Sequence, residues 1–140
     1  MVSLFDGYNY VIRLDKDERL SVGLQQFFEQ NDVHGGWITA VGGALEVELG
    51  FYNLESKQYQ WRTFKQTLEI VSLQGTCALD EQGKPVWHLH GVFSDDQHQT
   101  VGGHLKDLVV AGTCELFVHR SYQPLHRKHN DDVGLNILDL

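Results

Sequence analysis

Residues 86–105 read VWHLHGVFSDDQHQTVGGHL, in which apolar and polar side chains alternate from Val86 to Phe93, a polar turn covers Ser94 to Gln99, and a short extended segment follows from Thr100 to Leu105. Alternation with a period of two belongs to a strand that buries one face. Two such runs around a polar turn lie side by side as antiparallel neighbours. Trp87, Leu89 and Phe93 then share the core face, and Val86, His88, His90 and Val92 share the other.

The same signal continues in both directions. Upstream, Leu68 to Leu79 (LEIVSLQGTCAL) reads as a long strand with Gly75 as a bulge or a close backbone approach, and Asp80 to Pro85 (DEQGKP) as a turn. Before it, Trp37 to Val41 is short and apolar, Gly42-Gly43 marks a sharp bend or a bulge, Leu45 to Phe51 alternates with an acidic outer face, and Tyr59 to Arg62 is extended. Downstream, Val109 to Arg120 forms a last strand, and the tail, 121–140, is polar until Gly134-Leu135-Asn136-Ile137-Leu138, which should pack on the rest. Only one segment has helical spacing. After an extended run from Tyr8 to Leu14, Asp15 and Glu18 resemble a capping box, and Leu20, Leu24, Phe27 and Phe28 follow on one helix face up to about Gln30. The expectation is an α+β chain: one domain over 1–140, a mostly antiparallel sheet and an N-terminal amphipathic helix.

Totals narrow the partners. The chain has 11 basic and 19 acidic side chains, a formal net charge of −8, whereas proteins that hold duplex DNA through its phosphates concentrate Lys and Arg. No basic segment leads into an apolar one at the N-terminus and no stretch approaches about 20 apolar residues, so a cytoplasmic protein is expected. Cys77 and Cys114 stand alone in strand-like runs, form no CxxC, and read as buried free thiols rather than a disulfide.

The chemistry concentrates in the opening stretch. His88 and His90 lie on one face, about 6.5–7 Å apart at Cα from the strand rise. The reversal at Ser94–Gln99 can bring His104 beside them. Three neutral imidazoles with an open fourth position suit a divalent ion, zinc above all, at a reactive or exchangeable site. Gly102 and Gly103, lacking Cβ, can open a ligand pocket beside the last histidine. Glu69 and Glu115 stand in otherwise apolar strands; either, if turned toward the histidines, could orient a ring or act as the catalytic base of a metal-dependent hydrolase. No Ser-His-Asp arrangement, P-loop or dinucleotide fingerprint is present. His34, His98, His119, His126 and His129 have no ligand spacing, and HRKH in the tail reads as basic surface. Arg120, Arg127 and Lys128 are therefore the candidates for a DNA contact.

The order of segments adds a family resemblance. RLD, an amphipathic helix, WITAVGGALEVELGFYN, LEIVSLQG, HLHGVFSD, VGGHL, TCELFV and the closing RKHNDDVGLNILDL together resemble the bacterial type of the plant and prokaryote conserved (PPC) domain over nearly the whole chain. The resemblance implies a compact α+β domain assembled as a homotrimer, with the HxH and GGH histidines, here His88, His90 and His104, similar to a metal site. Family members carry a DNA-binding label, chiefly because plant relatives join the domain to AT-hooks that enter the A·T minor groove. This chain has no Arg-Gly-Arg-Pro arm. The readings that follow are a trimeric metal- or small-ligand-binding domain, a DNA-associated regulator, and a metal-dependent hydrolase-like enzyme.

Overall fold

The computed structural model describes residues 1–140. In chain order its elements are β1 (Val2–Phe5), β2 (Tyr10–Asp15), α1 (Leu20–Gln30), β3 (Gly36–Asn53), β4 (Gln58–Phe64), β5 (Leu68–Leu79), β6 (Pro85–Ser94), β7 (Thr100–Arg120), β8 (His126–Asn130) and β9 (Leu135–Asp139). The α+β expectation holds: one short helix accompanies a sheet whose pairings are antiparallel except for a single β5–β8 contact.

Two pairs of expected strands are each one continuous strand. The segments around Gly42-Gly43 join into β3, and Thr100–Leu105 and Val109–Arg120 join into β7. Of the bend or bulge expected at Gly42-Gly43 the structure has the bulge, and further register shifts beside Ala44 and Glu48 carry the pairing past the polar break in β7. A bulge turns the strand without ending it, and Gly42 takes a φ of 144° to do so. The bent strands let the pairings β3–β5, β5–β6, β6–β7 and β7–β3 return to their start, so these four strands form a closed ring. Register alone gives an inward row, Ile38, Gly75, Leu89, Leu105 and Leu49, and an outward row, Thr39, Gln74, His90, His104 and Gly50. Leu89 and Leu105 are buried within a core that also includes Ile70, Leu73 and Phe93. Gly75 is a close approach, as expected: a Cβ there would lie 1.9 Å from the His88 carbonyl oxygen.

The helix covers one side of this core with Leu20, Leu24, Phe27 and Phe28, and Phe28 stacks on Trp87 of β6. Its start differs from the expected capping box. Glu18 does accept from the Asp15 N–H at 2.7 Å, but Asp17 takes a φ of 67°, which separates that turn from the helix. The acceptor at the helix start comes instead from β7, where Asp107 receives the Ser21 N–H at 3.0 Å and the Ser21 hydroxyl at 2.8 Å. No helix is long and apolar enough to cross a membrane.

Residues 126–139 form the β8–β9 hairpin, whose one backbone ladder contact with the ring is Leu79 with His126. Tyr52 donates its hydroxyl to the Val133 carbonyl at 2.7 Å. Arg127 donates to Thr76 Oγ1 at 2.7 Å and, within the hairpin, to the Asn136 carbonyl at 2.8 Å. The hairpin therefore lies beside the outward row that carries the histidines.

Candidate metal centre

His90 and His104 are direct cross-strand partners on β6 and β7, and His88 lies one residue pair along β6 on the same face. The ring centroids are 5.0 Å apart for His88 and His90, 5.0 Å for His88 and His104, and 5.4 Å for His90 and His104. A tetrahedral ion about 2.0–2.1 Å from each ring nitrogen sets the three centroids about 5.2 Å apart and the nitrogens about 3.3 Å apart. The His88 and His90 Nε2 atoms are already 3.1 Å apart, and one ligand atom from each of the three residues lies within 4.8 Å of the others. No other group of histidine, cysteine or carboxylate side chains converges in this way.

The protonation state of the cluster suits coordination of a metal. Burial pushes His104 down to about 4, with His88, His90 and Arg127 adding to the effect. Burial, then Arg127 and His90, also lowers His88. Both rings are therefore neutral at pH 7, the state that offers a lone pair to a metal. Nδ1 of His104 is buried without a hydrogen-bond partner. An orphaned ring nitrogen needs an explanation, and coordination is one that the donor set supplies. Tyr59 and Trp61 of β4 flank His104 with ring centroids 4.8 and 5.9 Å away, which restricts how far that imidazole can turn.

The other sequence candidates are placed differently. Gly102 and Gly103 sit beside His90 in a concavity with Ser72, Gln74, Gly91 and Val92, but they do not line the cavity that His88 and His104 share. Added Cβ atoms would meet the Gly91 oxygen at 3.0 Å and the Gly50 oxygen at 2.9 Å, so these glycines let the strands approach one another closely where they line the concavity at His90. Glu69 and Glu115 are exposed and belong to neither the histidine group nor its cavity. Neither carboxylate is thus brought to the cluster from within the chain. Of the basic candidates, Arg120 points back to the Asp32 carbonyl and Lys128 is exposed.

Arg127 departs most from the sequence expectation. HRKH is not a uniform basic surface, because Arg127 is only 9% exposed and faces inward. It lines a cavity of about 200 Å³ together with Tyr59, Val86, Trp87, His88, His104, Leu135 and Asn136. The signal was available in HRKHN, where a period of two sends Arg127 to the opposite side from His126 and Lys128. Tyr59, Trp87 and Asn136 had no sequence signal that separated them from ordinary core or tail residues.

With this geometry described, the similarities of the chain become informative. Residues 3–121 match the Plants and Prokaryotes Conserved (PCC) domain. No curated protein matches the sequence. Among solved structures, one described as a candidate DNA-binding protein from Bacteroides thetaiotaomicron is 26% identical with a TM-score of 0.93, covering 99% of this chain and 96% of its own. A second with the same description, from Ralstonia eutropha, is 29% identical with a TM-score of 0.91, covering 99% and 95%. A metal-containing protein from Archaeoglobus fulgidus is 29% identical with a TM-score of 0.85, covering 98% and 97%.

Proposed function

The chain belongs to the Plants and Prokaryotes Conserved domain family, and on that premise we propose that it is a homotrimeric ligand-binding domain in which His88, His90 and His104 hold one divalent ion. The observation that carries this reading is the convergence of three imidazoles whose ring centroids are spaced about as a tetrahedral ion would set them, two of the rings held neutral. The all-nitrogen donor set favours zinc among the common divalent ions. A metal-containing relative of the same fold supports the assignment. Once bound, such an ion supplies Lewis acidity toward an oxygen of a ligand. The protein's own groups orient that ligand and wall it off, with Tyr59 and Trp87 forming the apolar side of the cavity.

Assembly into a trimer is supported by an apolar outer face. Val41, Val71 and Phe117 are 52%, 54% and 43% exposed and line one shallow groove, which shares Ser72 and Gln74 with the concavity at His90. Exposed apolar surface of this kind marks association sites. The proposed interface would then adjoin the histidines, and removing the ion would weaken assembly as well as stability.

Elemental analysis of protein purified without a polyhistidine tag tests the metal, alongside the triple variant His88→Ala, His90→Ala, His104→Ala. One ion per chain in the native protein and none in the variant is the expected result. No metal in either, even after incubation with zinc, would overturn it. Sedimentation equilibrium before and after chelation reads the oligomeric state.

The descriptions of two relatives favour a second reading, a DNA-associated regulator. It requires a binding constant that falls linearly with salt on logarithmic axes. Undetectable binding at low salt would remove it.

A further inference from the structure

We infer that the cavity beside His88 and His104 is a subsite for a small organic carboxylate, with Arg127 as the group that receives the carboxylate. The inference deepens the metal reading above, but its central observation is independent of any ion. Arg127 is a permanently charged side chain, about nine-tenths buried, and no carboxylate pairs with it. Asp80, Glu81 and Asp139 share a separate open groove with it, yet none of them forms an ion pair with it. A guanidinium has five N–H donors. Here one bonds the Thr76 hydroxyl, one bonds the Asn136 carbonyl, and Nε is buried without a partner.

A buried charge without a counter-charge is costly, and proteins retain one where a ligand completes it. The two bonds that Arg127 does make hold the guanidinium plane in place without neutralising it. This is pre-organisation for the two-oxygen edge of a carboxylate.

Charge counting strengthens the case. Three neutral imidazoles leave a divalent ion's +2 undiminished, and Arg127 adds +1 on the same cavity, whose lining includes no acidic residue. A net positive cavity within a chain of formal charge −8 selects an anion. The rest of the lining selects its body. Tyr59, Val86, Trp87 and Leu135 present apolar surface, and a cavity of about 200 Å³ accommodates a molecule the size of benzoate. An anion with an apolar portion fits this better than inorganic phosphate, which would leave that wall facing water.

The histidines fall within residues 3–121, which match the family, whereas Arg127, Leu135 and Asn136 come from the hairpin beyond them. The ion end of the site therefore lies within the matched residues and the carboxylate end in the hairpin after them, a segment that the similar solved structures also cover.

Calorimetric titration of zinc-incubated, tag-free protein with benzoate tests the inference, with benzamide as the neutral isostere and inorganic phosphate as the second anion. Benzoate should bind, benzamide should bind at least about tenfold more weakly, and Arg127→Gln should lose about tenfold or more in benzoate affinity while retaining the wild-type zinc content. Equal affinity for benzoate and benzamide, a preference for phosphate, an undiminished affinity in Arg127→Gln, or no benzoate binding in the millimolar range would each overturn the subsite. The benzoate–benzamide comparison uses wild-type protein and decides the matter even if the variant does not fold. Zinc content separates the two proposals. Benzoate selectivity that depends on Arg127 in protein without metal retains the subsite and removes the metal reading, whereas bound zinc without benzoate binding does the reverse.

Discussion

Arg127 donates to the Thr76 hydroxyl at 2.7 Å, and Thr76 is the cross-strand partner of His88, so one hydrogen bond ties the C-terminal hairpin to the strand pair that presents the histidines. Replacing Thr76 with Val keeps the shape and removes the acceptor. The buried guanidinium loses one of its two partners at a cost of about 1–3 kcal/mol. Urea denaturation should show that loss, and hydrogen exchange should show faster exchange in 126–139 than in wild type.

Asp107 occupies the start of α1 from 86 residues away, with bonds to both the amide and the hydroxyl of Ser21. Asp107→Ala removes an N-cap and should destabilise the chain by about 1–2 kcal/mol. Asp107→Asn retains an acceptor and should cost less. Thermal melting of the two variants side by side distinguishes capping from a simple charge effect.

A side chain at Gly75 would collide with backbone rather than with a rotatable group. Gly75→Ala should therefore force β5 and β6 apart at His88, costing about 3 kcal/mol, at the upper end of overpacking penalties. Its metal content after zinc incubation should fall with its stability, even though no histidine has been touched.

Acid should weaken the chelator-treated protein before most carboxylates titrate. His104 binds its proton at about 4 in the folded chain, and His88 is also lowered, against about 6.5 when unfolded. Below 6.5 the unfolded state binds more protons, so stability is full above that value and declines as pH falls toward 4. Urea midpoints measured from pH 7 to pH 4.5 should show this slope, and His104→Gln should flatten it.

Cys77 and Cys114 are buried, and burial pushes both thiols up to about 12. Thiolates are the reactive form. A disulfide reagent should label neither thiol in the native protein and both in denaturant, and appreciable native labelling would show that the core opens locally.

The fold was legible where periodicity was strong. The alternation in 86–93 set His88 and His90 on the outer face and Leu89 and Phe93 inside, and the Leu20–Phe28 spacing marked the helix. It was less legible where one strand serves two partners. Glycines at 42–43 read as a bend or a bulge and the polar break at 106–107 as an end, and because a bulge preserves pairing while shifting register, local sequence does not distinguish these outcomes. Asp107 as a cap and Arg127 as a buried lining residue depend on contacts between distant segments. No pattern within a short window encodes the Asp107 cap, and the period of two in HRKHN gives only the side that Arg127 faces, not the cavity it lines.

The β6–β7 hairpin has a further consequence for the order in which the molecule comes together. All three imidazoles belong to that one local reversal, 88–104, whose strands meet across a short turn. Short-range contacts form quickly and at little entropic cost. Arg127 arrives only when the chain end docks beside Leu79. The half of the cavity that suits a cation can thus exist before the half that suits an anion, and on partial unfolding the second is lost first.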